Sequence, residues 1–158
     1  KITEGDFIII QDSDDEYSID DYHKLLEPLM YNDEKLILGC RKKDNWKIRS
    51  LEDESFNTIV LNVGHVIFSS LFNLMYNVKL KDPFTTYKVF KNPGIKNIKF
   101  VCNRFDFDYE LLIKLIKIGY KPKEININYI SRSFSKGKKI NILRDPITWI
   151  FALIRFKF

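Results

Sequence analysis

The stretch FIIIQDSDDEY, Phe7 to Tyr17, sets four apolar residues directly before a cluster of acids. Phe7, Ile8, Ile9 and Ile10 read as a buried strand, predicted over Asp6–Gln11. Asp12, Asp14, Asp15 and Glu16 then stand at its carboxyl end. In open α/β sheets, ligands bind outside the carboxyl ends of the strands. Asp12 and Asp14 are separated by one residue and offer hard oxygen donors suited to Mg2+ or Mn2+, which keep waters and bridge to substrate phosphates. Such an ion neutralises charge building on a departing diphosphate. A plainer reading stands beside this one: a solvated acidic turn feeding the next helix, where acids suit the macrodipole.

Outward from that stretch, strands alternate with helices. A helix is expected from Ile19 to Tyr31, with Asp20 and Asp21 near its start, then a short strand at Lys35–Leu38 ending in Gly39-Cys40-Arg41. Lys42–Glu54 is charged, lacks apolar periodicity and reads as a loop. A long helix fits Phe56–Tyr76, with Ile59, Val63, Val66, Ile67 and Leu74 at helical spacing. A turn, Asp82–Tyr87, leads into Lys88-Val89-Phe90. A helix over Tyr109–Lys117 closes on Gly119, and Lys123–Tyr129 alternates as a strand. A basic turn, Arg132 to Lys139, precedes a terminal helix rich in aromatic residues. The order argues for one α/β domain over all 158 residues, a sheet flanked by helices with ligands at the strand ends.

Bulk properties narrow the partners. A hydrophobic share of 45% excludes a disordered chain. The net charge of +5 suits phosphate-bearing partners, whether nucleotides, lipid phosphates, membrane surfaces or nucleic acid. Nucleic acid is the weakest of these, because no aromatics interleave with the basic loop at Arg132, Lys136, Lys138 and Lys139. Cys40 and Cys102 show neither metal-type spacing nor a disulfide framework, which fits reduced thiols and a cytoplasmic chain. The apolar stretches Val60–Leu74 and Ile147–Phe158 read as too short or too interrupted to span a bilayer. His23 and His65 read as isolated surface or packing residues. Trp149, Phe151, Phe156 and Phe158, with Arg155 and Lys157, suit either a core or a peripheral membrane contact.

Four ordered blocks carry a family resemblance: GDFIIIQDSDDEYSIDDYHKLLEPL from Gly5, LKDPFTTYKVF from Leu80, NRFDFDYELLIKLIKIGYKPKEININY from Asn103 and SRSFSKGKKI from Ser131. Together they resemble family 2 glycosyltransferases, nearest the dolichyl-phosphate mannosyltransferase-like branch. The resemblance implies a GT-A fold: a Rossmann-like three-layer domain with a mixed sheet, binding a nucleotide-sugar and, usually, Mg2+ or Mn2+. It puts Asp12 and Asp14 on the family's metal- and diphosphate-binding acids, Ser13 on the small residue between them, and Glu16 near the metal. Arg41 follows Gly-Cys where relatives have Gly-Ser, and its planar fork suits an acceptor phosphate; an exposed strand-end Arg is the alternative. Asp82 and Thr85 fall on a turn placed beside the sugar and acceptor, where Asp82 is expected to orient a hydroxyl or take a proton; simple turn chemistry is the alternative. Arg104 matches an Asn-Arg-Phe motif. Glu110 matches a family Glu and is either a base or a helix-start acid. Arg132 and Lys138 would neutralise a diphosphate or an acceptor phosphate.

Relatives carry an N-terminal nucleoside-binding half, and the chain is expected to be the C-terminal portion of such a domain. The expected activity is metal-assisted, inverting transfer of a hexose from a nucleotide-sugar to a polyprenyl phosphate or a similar lipid or glycan acceptor. The alternative is a non-catalytic remnant or binding subunit, with the other half a separate chain.

Overall fold

The computed structural model describes residues 4–13, 16–41, 56–95, 98–102, 106–130 and 145–157. Four strands form one mixed sheet: β1 (Phe7–Ile10), β2 (Leu36–Cys40), β3 (Lys88–Lys91) and β4 (Pro122–Asn126), in the order β1-β3-β2-β4. β3 runs antiparallel to both of its neighbours, and β2 pairs parallel with β4. The helices are α1 (Tyr22–Tyr31), α2 (Phe56–Tyr76), α3 (Phe107–Lys117) and α4 (Asp145–Arg155). Short 3-10 turns at Ile19–Asp21 and Asn92–Ile95 complete the elements.

Strand side chains alternate between faces, so each apolar strand supplies two cores. Leu36, Leu38 and Phe90, with Ile8 and Ile10, pack on Phe72 of α2, Leu111, Leu112 and Leu115 of α3, and Leu153 of α4. On the opposite face Ile37 and Val89, with Phe7 and Ile9, pack on Leu25 and Leu29 of α1. The result is three layers, α1, sheet, then α2, α3 and α4. This is the α/β architecture expected, consistent with a partial GT-A fold.

Local chemistry sets the boundaries. Ser18 accepts the Asp20 N–H at 3.2 Å and opens the 3-10 turn that feeds α1. α3 ends with Gly119 at φ +89°; its N–H donates to Ile116 O at 2.9 Å, and Tyr120 N–H donates to Leu115 O at 3.0 Å. That pair closes a helix through a left-handed residue, the conformation glycine adopts without a Cβ penalty.

Two sequence expectations change. β4 ends at Asn126, and Tyr129 instead makes an isolated antiparallel bridge with Tyr17. The bilayer reading of the long helix is also corrected: within α2, Ile59–Tyr76 is long and apolar enough to cross a membrane by length and composition. Its polar interruptions are Asn, Ser and His rather than formal charges, so they do not break the apolar run.

Candidate active site

Because β1, β2 and β4 are mutually parallel, their carboxyl ends and the chain entering β3 meet at one end of the sheet. Arg41 follows the last residue of β2, and Asp82 opens the turn into β3. Arg41 donates from Nε to Asp82 Oδ2 at 2.7 Å, from Nη2 to Oδ1 at 2.8 Å, and from its backbone N–H to Oδ2 at 3.1 Å. Asp82 is wholly buried. Burial works to raise its pKa, but Arg41 outweighs that and holds the carboxyl down at about 2. Burial likewise works against the Arg41 charge, and Asp82 more than offsets it, pushing the guanidinium well above its ordinary value.

Two further groups brace this pair. His65 of α2 places Nε2 3.6 Å from Asp82 Oδ1, 3.0 Å from Ser69 Oγ and 3.3 Å from Lys81 O. Glu124 of β4 accepts the backbone N–H groups of Lys81 at 2.8 Å and Asp82 at 2.6 Å, fixing the turn to the sheet. Burial raises the Glu124 pKa, and those two donors offset part of the rise.

Thr85 is buried, and its hydroxyl accepts the Tyr87 N–H at 3.3 Å. Its carbonyl accepts from the ammonium of Lys88, which is itself wholly buried and lies 3.2 Å from Asp108 Oδ1. Glu16 accepts from the Tyr129 hydroxyl at 2.7 Å, and the Arg41 guanidinium lies 5.4 Å from the Tyr129 ring centroid. Tyr17 packs edge-on to Tyr87 and tilted against Tyr129. The structure therefore brings Glu16, Arg41, Asp82 and Thr85 to one end of the sheet.

Asp12 and Ser13 are exposed, just beyond β1 at the same end. Asp14, Arg104, Arg132 and Lys138 lie outside the described residues, as do Asp15 and the rest of the basic loop. Among the described residues, no group of three or more His, Cys, Asp or Glu is arranged to hold a metal. Of the two acids expected to hold a cation, Asp12 alone is among the described residues, and carboxylate oxygen is the donor type a hard divalent cation takes.

Glu110 makes a separate set of contacts. It is buried in α3 and accepts backbone N–H groups from Val101 at 3.0 Å and Cys102 at 2.7 Å, together with the ammonium of Lys114. Burial works to raise its pKa, but Lys114 and the two backbone donors hold it below its ordinary value. Its geometry is that of a brace on the segment entering α3.

His65, Tyr17, Tyr129, Glu124 and the Lys88–Asp108 pair escaped the sequence reading. Helical spacing gave no sign that His65 faces the turn after α2. The alternation Ile125, Ile127, Tyr129 does place Tyr129 on a patterned face, but nothing local links it to Arg41.

A three-layer α/β domain with charged groups gathered at the carboxyl ends of parallel strands is built to bind a ligand at that end. The sequence profile of Glycosyl transferase family 2 matches residues 1–99, more than half the chain, and the protein belongs to that family. It is therefore a glycosyltransferase domain, whose substrates are a nucleotide-sugar and an acceptor. The match takes in Asp12, Arg41, His65, Asp82 and Lys88, while α3, β4 and α4 lie beyond it. Comparison with curated proteins finds no match.

Proposed function

We propose that this domain moves a hexose from a nucleotide-sugar to an acceptor that is already an anion, a polyprenyl phosphate of the dolichyl type. The reaction is a single displacement with inversion: an acceptor oxygen attacks the anomeric carbon, the bond to the donor diphosphate breaks, and the diphosphate leaves with its electron pair. One observation carries the acceptor assignment. Among the described residues, the buried or half-buried carboxylates at this end of the sheet are engaged, Asp82 by Arg41, Glu16 by Tyr129 and Asp108 by Lys88. A hydroxyl acceptor needs a carboxylate to take its proton, whereas a phosphate does not.

In this reading Asp82 is a positioning residue that fixes Arg41, and Arg41 is the preset cation that meets acceptor phosphate. Thr85 and Lys88 hold the turn beside the sugar. Asp12 and Asp14 would hold Mg2+ or Mn2+, which when bound neutralises charge on the diphosphate. Arg104, Arg132 and Lys138 supply further phosphate contacts by family likeness. The acceptor would place the domain at a cytoplasmic membrane surface.

Titration calorimetry with a nucleotide-sugar plus Mn2+ tests the donor side. Metal-dependent heat in the wild type that disappears in Asp12→Ala supports the reading; no heat in either protein would favour a non-catalytic binding role. Transfer to a polyprenyl phosphate but not to the matching polyprenol tests the acceptor.

A further inference from the structure

α2 is built the wrong way round for a helix whose outer face meets water. Its 21 residues include no Asp, Glu, Lys or Arg. Asn62 and Ser69 are buried against the domain, while Ile59, Val63, Ile67 and Leu74 point outward, with Leu74 82% and Ile67 60% exposed. Those four recur at helical spacing and, with Val66, form an apolar stripe interrupted by Ser70, whose hydroxyl is turned back onto Val66 O at 2.9 Å. α4 lies alongside, held by Phe68 against Trp149 and by the Tyr76 hydroxyl donating to Leu153 O at 2.8 Å. It adds exposed Phe151 and Ile154 to the outer surface.

The charges choose the partner. Lys79 follows α2, and Arg155 and Lys157 end and follow α4; all three are exposed. Lys157 donates to Met75 O and lies 5.3 Å from the Tyr76 ring centroid, so the cations gather where both helices end. The single acid on either helix is Asp145, at the first position of α4. An apolar stripe beside a cationic end matches a bilayer surface bearing anionic lipid headgroups.

We propose that α2 and α4 together form a lipid-docking face that lies in the interface of an anionic membrane. α2 does not cross the bilayer in this arrangement. Phe72 is wholly buried in the domain, and the Asn73 side chain both donates to Leu80 O at 2.8 Å and accepts its N–H at 3.0 Å, contacts that a spanning helix would forfeit. The face stands independently of the glycosyl-transfer reading and deepens it only in bringing the domain to its lipid acceptor.

Vesicle flotation of the full chain tests it, using phosphatidylcholine alone and phosphatidylcholine mixed with phosphatidylglycerol, without sugar donor. The expected result is flotation with the mixed vesicles that weakens as salt is raised. Ile67→Glu/Leu74→Glu should weaken binding by about tenfold or more while leaving the circular dichroism spectrum and Tm unchanged, since both residues are exposed. Arg155→Glu/Lys157→Glu should remove the preference for anionic vesicles. Failure of the wild type to float, or equal flotation of the Ile67/Leu74 variant, overturns the proposal. So does a wild-type dimer, seen by sedimentation, that the Ile67/Leu74 variant dissolves while vesicles remain unbound.

Discussion

Arg41 and Asp82, 41 residues apart in sequence, meet in a two-point ion pair that locks the end of β2 to the turn entering β3. The Arg41 backbone N–H makes a third bond to the same carboxylate, so main chain and side chain are fixed together. Removing one partner strands a charge in a buried setting, which typically costs about 3–5 kcal/mol. Asp82→Ala should therefore lower unfolding free energy by an amount in that range. The paired replacement Arg41→Met/Asp82→Leu should cost less than its two single changes combined, by about 1–3 kcal/mol. Urea denaturation of the wild type, Asp82→Ala, the two single variants Arg41→Met and Asp82→Leu, and their double checks both. Additive losses would mean that the two groups do not sense each other.

The same pair sets the acid limit of stability. The Asp82 carboxyl titrates at about 2 in the fold against an ordinary 3.8. A depressed acid pKa means the unfolded chain binds the proton more readily, so its stabilisation is complete above pH 4 and is lost as pH falls through 2. The amount is about 2 kcal/mol. Glu124 runs the other way, because its folded pKa is raised: its contribution is present below its ordinary 4.5 and fades as pH climbs through the raised value. A plot of unfolding free energy against pH should thus fall steeply between pH 4 and 2. Asp82→Asn should flatten that limb by about 2 kcal/mol. An unchanged slope would assign the acid sensitivity to other carboxylates.

Glu110 predicts a different phenotype from the strand-end residues. Its carboxylate ties the Val101 and Cys102 backbone to α3, and charge-assisted hydrogen bonds of this kind contribute about 1.5–3 kcal/mol. Glu110→Gln keeps one acceptor oxygen and loses the charge facing Lys114. A loss of about 1–2 kcal/mol in stability is expected, with nucleotide-sugar affinity unchanged at temperatures where the variant is folded. Loss of donor binding or turnover without loss of stability would return Glu110 to the site.

What the sequence made legible follows from which signals are local. The Phe56–Tyr76 helix is read to both ends, and Gly119 is readable as a stop because a left-handed closure selects glycine. The run Phe7–Ile10 reads as a buried strand and does form one, but at the edge of the sheet, where all four residues are half-buried; Leu25, Leu26 and Leu29 mark the apolar side of α1. The spacing in α2 showed a helix without showing which side faces inward, and the stripe that looks like core is the exposed one. Partner identity was equally invisible. His65 looks isolated until α2 folds back over the turn at Asp82, and Tyr129 meets Glu16 across 113 residues. Contacts at that separation are fixed by topology and leave no trace in local pattern.

Gly39 offers the most direct link from packing to the site. It sits in β2, two residues before Arg41, and its N–H donates to Tyr87 O at 2.8 Å. A Cβ there would lie 3.0 Å from both Cδ1 and Cγ2 of Ile127 and 3.2 Å from the Tyr87 Cβ. Neither neighbour has room to retreat. Ile127 is 2% exposed within the cluster holding Tyr17 and Leu25, and Tyr87 is wholly buried with its hydroxyl donating to Ser18 O at 3.0 Å. Gly39→Ala should therefore cost about 1–3 kcal/mol, the usual result of overpacking a filled core. Because the added methyl pushes β2 away from the chain after β4, it should also disturb Arg41 and weaken phosphate-dependent binding. Gly39→Ala/Ile127→Ala supplies the control: the new methyl enters space vacated by the isoleucine, so the double variant should be more stable than the two single losses combined imply. Denaturation midpoints for the three variants, read with calorimetry on the same samples, separate the steric effect from the functional one. If the double variant is no better than additive, the close approach at Gly39 is not what sets its identity.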